Sequence, residues 1–168
     1  MSLNSGSIDK VIEQLKNYKD SLEYKCEQFV ERLADIGINV AMMTLASDGQ
    51  GDSPRSADFK FTSTKHGFGT GNEIVGKITA TGDGLIFWEF GAGNVFNTNN
   101  EHPKASQFGF GVGTYPGQTH VPDPGYWYYR DENGDAVRSY GTQATMPMYK
   151  ASIEMITKIR DVAKEVFG

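Results

Sequence analysis

A single cysteine, Cys26, leaves this chain without an internal disulfide and points to a reducing compartment. No apolar run approaches the ~20 residues that a helix needs to cross a bilayer. The opening MSLNSGSIDK has no signal-peptide core, so a soluble chain not exported by that route is expected. Basic residues are outnumbered, with 16 Lys and Arg against 21 Asp and Glu and a net charge of −5. A protein that grips phosphates carries a basic surplus, so tight wrapping of nucleic acid is not expected.

Recognisable catalytic patterns are missing too. His66, His102 and His120 lack the spacing that sets two metal ligands on one helix face. No Ser, Cys or Thr sits in a nucleophile elbow. The stretches GFGTG (67–71) and GFGVGT (109–114) neither join a strand to a helix nor end in Gly-Lys-Ser or Gly-Lys-Thr. Phosphate loops work through amides at a helix start, so both read as flexible loop.

What is present suits one domain spanning 1–168. Hydrophobic residues at 38% and aromatics at 12% exclude wholesale disorder. A chain of this length buries roughly two-thirds of its unfolded surface. Residues 1–6 are expected to be flexible or to carry a cloning scar. Ile8, Val11, Ile12, Leu15, Leu22, Cys26, Phe29, Leu33 and Ile36 recur at spacings of three, four and seven, one stripe of an α-helix. Ser5 or Ser7 can cap its first turn. Gly37 could end it, but INVAMMTLAS stays apolar and carries the prediction to about Leu45. Cys26 lies on the stripe as a small buried hydrophobe.

After the turn-rich break at Ser47–Ser56 the period becomes two. Phe59 and Phe61 alternate with Lys60 and Thr62, and Ile74, Gly76, Ile78 and Ala80 oppose Val75, Lys77 and Thr79. TGDG (81–84) reads as a tight hairpin turn into a central, covered strand, LIFWEF (85–90). Residues 91–125 are rich in Gly, Pro and Asn and read as a long loop. GYWYYRDENGDAVRSYG forms a second hairpin turning at Asn133-Gly134. Met148, Ala151, Met155, Ile159, Val162 and Val166 mark a closing helix, with Thr145 as its cap and Pro147 in its first turn. The expected class is α+β: long N-terminal and C-terminal helices packed on a twisted antiparallel sheet, with the 91–125 loop inserted.

Glu89, alone among bulky apolar residues, is the residue that most needs explaining. As a catalyst it would act as an acid with His102 or His120 in a hydrolase, for instance one acting on cell wall, or beside a metal held by His102, His120 and Asp123. As structure it would bond turn amides or an arginine such as Arg130 or Arg138, and Glu89→Gln would leave folding near wild type. The run Tyr126–Tyr129 could stack on sugar, making a carbohydrate-binding module. In a strand, Tyr126 and Tyr128 face one way and Trp127 and Tyr129 the other, one pair core and one a protein contact.

Several pieces in order, LIFWEFGAG, His102-Pro103, GTYPG (113–117), WYYRDENG and SYGTQATMPMYKA, resemble the HK97 gp10-like family of tailed bacteriophages. They run from Leu85 to the terminal helix, about half the chain. One departure is SDGQGDSPRSADF (47–59) in place of a Pro-Val-Asp-Thr-Gly-type motif. The resemblance implies a non-enzymatic neck protein, for head–tail joining or tail completion, without metal or cofactor. It implies a homo-oligomeric ring, six-fold, around the DNA channel of the virion, assembled in the host cytoplasm. Its partners would be head-closure or connector proteins and tail-tube or tail-terminator proteins, with DNA passing through unbound. An acidic lining keeps a polyanion sliding. The candidate assembly residues are Trp88, Glu89, Gly91, Gly93, Tyr115, Trp127, Tyr129, Pro147 and Tyr149. Gly91 and Gly93 would turn the chain sharply after Glu89.

Overall fold

The apolar stripe at the start of the chain does form one helix, α1, over Ser5–Ser47 in a computed structural model. The structure describes residues 5–47, 57–68, 71–82, 84–91, 102–109, 126–131, 133–139 and 141–168. The helix begins inside the segment expected to be flexible and passes straight through Gly37. There the glycine serves packing: a Cβ would come within 2.6 Å of Met155 Sδ on the closing helix. That closing helix, α3, spans Pro147–Phe167 and lies antiparallel on the second half of α1. Phe29 meets Phe167, Arg32 pairs with Glu165, and Ala34, Ala41, Ala151 and Val162 are buried along the seam. Small residues at the contact let the two helices approach closely.

Strands β1 (Asp58–Phe68) and β2 (Gly71–Thr81) form an antiparallel hairpin, with Phe59 opposite Ala80, Phe61 opposite Ile78 and Lys65 opposite Ile74. The alternation read from sequence holds: Phe59, Phe61, Ile74, Ile78 and Ala80 are half-buried, whereas Lys60, Thr62, Val75, Lys77 and Thr79 are exposed. A two-stranded ribbon is marginal alone, and this one leans on α1, where Val30 fills the space left by Gly76. At the far end of the inner face Lys65 bonds Glu23 at 2.8 Å and also pairs with Glu27. These contacts hold Glu23 below its ordinary 4.5, chiefly through the Lys65 hydrogen bond and then its charge, and raise Lys65 above its ordinary 10.5.

LIFWEF is not a strand. Leu85–Phe90 forms a short helix, α2, preceded by Gly84 at φ 72° and followed by Gly91 at φ 77°. The hairpin turn expected at TGDG is replaced by a helix start, with Leu85 N–H directed to the Gly82 carbonyl, while Asp83 lies outside the described residues. Among the described residues the strands therefore form two separate two-stranded ribbons. The second joins β3 (Trp127–Arg130) to β4 (Ala136–Ser139). Its turn falls where Asn133-Gly134 predicts. Asp131 Oδ1 accepts from the amides of Asn133 and Asp135, and its carbonyl accepts from Gly134. Within the segment read as loop, Ala105–Phe108 makes a 3-10 turn; residues 92–101 and 110–125 lie outside the described residues.

Candidate functional site

Glu89 is carried on α2 so that its carboxylate meets the start of α3. Oε2 accepts the Met148 amide at 2.8 Å, and Oε1 accepts the Tyr149 amide at 2.9 Å. The reason lies in the local sequence of α3. Its N-cap residue is Met146, held left-handed at φ 59°, and an apolar side chain cannot accept a bond from the first turn. Pro147 has no amide hydrogen, and Lys150 N–H already bonds the Met146 carbonyl. Two donors remain, and Glu89 takes both. A negative group is also favoured there by the helix dipole.

Thr145, expected to cap α3, does not. Its hydroxyl bonds the Trp88 carbonyl at 3.2 Å, an oxygen that also accepts the amides of Thr145 at 2.7 Å and Met146 at 3.1 Å. The end of α2 and the start of α3 are thus clipped together by one carbonyl and one carboxylate. Pro147 is fully buried at this joint.

The third donor to Glu89 is His102, whose Nε2 lies 3.0 Å from Oε1. His102 Nδ1 accepts the Lys104 amide at 3.1 Å, so the ring proton sits on Nε2 and is donated to the carboxylate. The side chains are 11% exposed for Glu89 and 3% for His102. The imidazole is wedged between Phe90, at 4.5 Å between ring centres, and Tyr149, at 5.2 Å. Phe90 in turn meets Phe108 from the 3-10 turn.

The structure therefore unites Glu89, His102, Pro147 and Tyr149, with Trp88 contributing its carbonyl and Gly91 the exit. The expected bond from Glu89 to Arg130 or Arg138 is not made. Arg130 bonds the Gly134 carbonyl, and Arg138 stacks on Tyr126 at 4.6 Å and reaches the Tyr128 hydroxyl. Trp127 and Tyr129 occupy β3 by backbone, while Gly93, Tyr115, His120 and Asp123 lie outside the described residues. His66 is exposed on β1, paired with Glu73 across the ribbon. Among the described residues no three His, Cys, Asp or Glu side chains gather as metal ligands, and no helix is long and apolar enough to cross a membrane. Cys26 is half-buried rather than buried.

Sequence reasoning named Glu89 with His102 or His120 as a candidate catalytic pair but missed the attachment of Glu89 to the start of α3. The legible signal was a helix start, Thr-Met-Pro-Met-Tyr, whose residue just before the proline offers no capping oxygen. The geometry also revises the effect foreseen for Glu89→Gln. An amide offers one accepting oxygen where the carboxylate uses two, so its NH₂ would face an amide donor of α3.

An open groove of about 600 Å³ runs between the end of β2 and α2, with Lys77, Ile86, Glu89 and Met148 among its walls. The carboxylate bordering it already serves three donors, and both ring nitrogens of His102 are engaged. Such a set supports a joint more readily than proton transfer to a substrate. The class defined by the described residues is an α+β domain of helices and antiparallel ribbons. No protein-family model, no curated protein and no solved structure matches the chain.

Proposed function

We propose that this is a structural protein of a bacteriophage neck, a head–tail joining or tail-completion component that works by fitting against copies of itself and its neighbours. The motif resemblance from Leu85 onward supplies that reading. The observation that carries its non-enzymatic part is the engagement of Glu89: the one acid of the apolar segment spends both oxygens on the start of α3 and on His102. Extensive exposed apolar surface on α1 and α3 supports an assembling part over a free-standing one. On this reading the protein forms a six-fold ring, binds head-closure and tail-tube or tail-terminator proteins, resides in the virion, and lets DNA pass.

The genes flanking its own provide one test, with a portal or capsid gene on one side and a tail-tube gene on the other as the expected result. Electron microscopy of the protein with those neck components should show rings. Flanking genes of metabolism and an absence of rings with every neck component would overturn the reading. The hydrolase alternative draws on the approach of His102 to Glu89 beside an open groove. Turnover of cell-wall fragments that disappears in Glu89→Gln, at a temperature where that variant stays folded, would favour it.

A further inference from the structure

Every residue of α1 from 6 to 22 is exposed; Lys19 and Leu22 border a cleft shared with the first ribbon, and the stretch as a whole, about 25 Å long at 1.5 Å per residue, runs outward from there. The contacts with α3 end near Phe29, and those with the first ribbon reach Glu23 through Lys65. A helix of this length without tertiary support is marginal in water, because few residues repay the cost of nucleation. Yet its apolar side chains are not scattered. Ile8, Val11, Leu15, Tyr18 and Leu22 fall at alternating steps of three and four, a 3.5-residue period that selects another helix as partner. Leu15 is 62% exposed and Tyr18 67%. The next seam position is Lys25, so the apolar seam stops where packing within the chain begins.

We infer that this projecting helix pairs with the same helix of a second copy of the chain. Three features select that occupant. The seam is self-complementary in type, since its positions repeat large aliphatic residues with one tyrosine. The stretch 5–22 carries Asp9, Glu13 and Asp20 against Lys10, Lys16 and Lys19, so two copies do not repel one another by net charge. Five of those six charges point away from the seam. The flanking positions are Ile12, Gln14, Lys19 and Ser21, which set no like charges opposite each other in a helix pair. Finally, covering Ile12 and the five seam residues removes on the order of 600 Å² from each copy, about 1,200 Å² for the pair, the lower bound of a specific interface. The pairing joins copies two by two, is distinct from the head-to-tail contact that would close a six-fold ring, and rests on the assembly reading for its purpose.

The test uses the full chain and sedimentation equilibrium over a wide concentration range. The wild type should self-associate. A Val11→Lys, Leu15→Lys double variant should weaken association by at least about tenfold, because two seam layers are lost. At a concentration where the wild type is monomeric its thermal unfolding should match wild type, since both positions are exposed in the single chain. Ile156→Lys, on the exposed outer face of α3, should associate like wild type. Loss of association in Ile156→Lys but not in the double variant overturns the pairing while leaving self-assembly intact. A wild type that stays monomeric throughout also overturns the pairing, and the ring reading is then decided by its neck components.

Discussion

His102 Nε2 lies 3.0 Å from Glu89 Oε1, and the ring's other nitrogen is bonded by the Lys104 amide. The imidazole is thereby fixed as a donor to a carboxylate that already holds two helix amides. That arrangement makes the acid the joint between α2, the 102–108 turn and α3. It also makes the contributions of these groups measurable.

Glu89→Gln should lower stability by about 2 kcal/mol, the cost of facing a buried donor with another donor. Urea denaturation should show a lower midpoint with an unchanged slope. A midpoint equal to wild type would mean that the α3 amides find other acceptors.

His102→Phe keeps a ring between Phe90 and Tyr149 but removes the bond to Glu89, and should cost about 1 kcal/mol. Combined with Glu89→Gln, the two losses should be non-additive by at least about 0.5 kcal/mol. Strict additivity in the double-mutant cycle would dissolve the pair.

Thr145→Ala loses one long bond to the Trp88 carbonyl, which keeps two amide donors. Its cost should stay under about 1 kcal/mol, below the usual loss for a genuine N-cap threonine. If Thr145→Ala proves more damaging than Glu89→Gln, the cap has been assigned to the wrong residue.

Gly76→Ala should destabilise by about 1–3 kcal/mol, since its methyl would overlap Val30 and crowd Phe61. Adding Val30→Ala should recover part of that loss. No recovery would show that the ribbon does not rest on α1 at this point.

The attachment of the ribbon's end to α1 should depend on pH. Glu23 is lowered by its Lys65 contacts, so its contribution is present above the ordinary carboxyl range and is lost as pH falls through the lowered value. Lys65 is raised, so its contribution is present below its ordinary 10.5 and is lost only in stronger alkali. Lys65 is exposed and Glu23 half-buried at the rim of the ribbon, so the effect should be local. The protection of β1 and β2 amides, taken relative to the intrinsic exchange rate at each pH, should fall on acidification in wild type and show no such step in Lys65→Met.

Two helices, the 59–80 alternation and the Asn133-Gly134 turn could be read directly from the chain. Each rests on local physics: a sustained apolar period over many residues, or a turn needing residues tolerant of positive φ. Ile8, Val11, Leu15 and Leu22 were equally visible within the helical stripe, but not Tyr18 as their companion, nor that this part of the stripe would remain exposed. LIFWEF could not be decided in the same way. Five apolar residues out of six fit a strand and a helix equally well, because so short a run holds less than two helical turns. Tertiary structure settled it. As a helix, the segment aims the Trp88 carbonyl at Thr145 and Met146 and the Glu89 carboxylate at Met148 and Tyr149. Those donors lie more than fifty residues away, at a helix start that its own neighbours in sequence leave uncapped. Local composition specified the helices and ribbons; the need to satisfy buried amides across distant segments decided how they were joined.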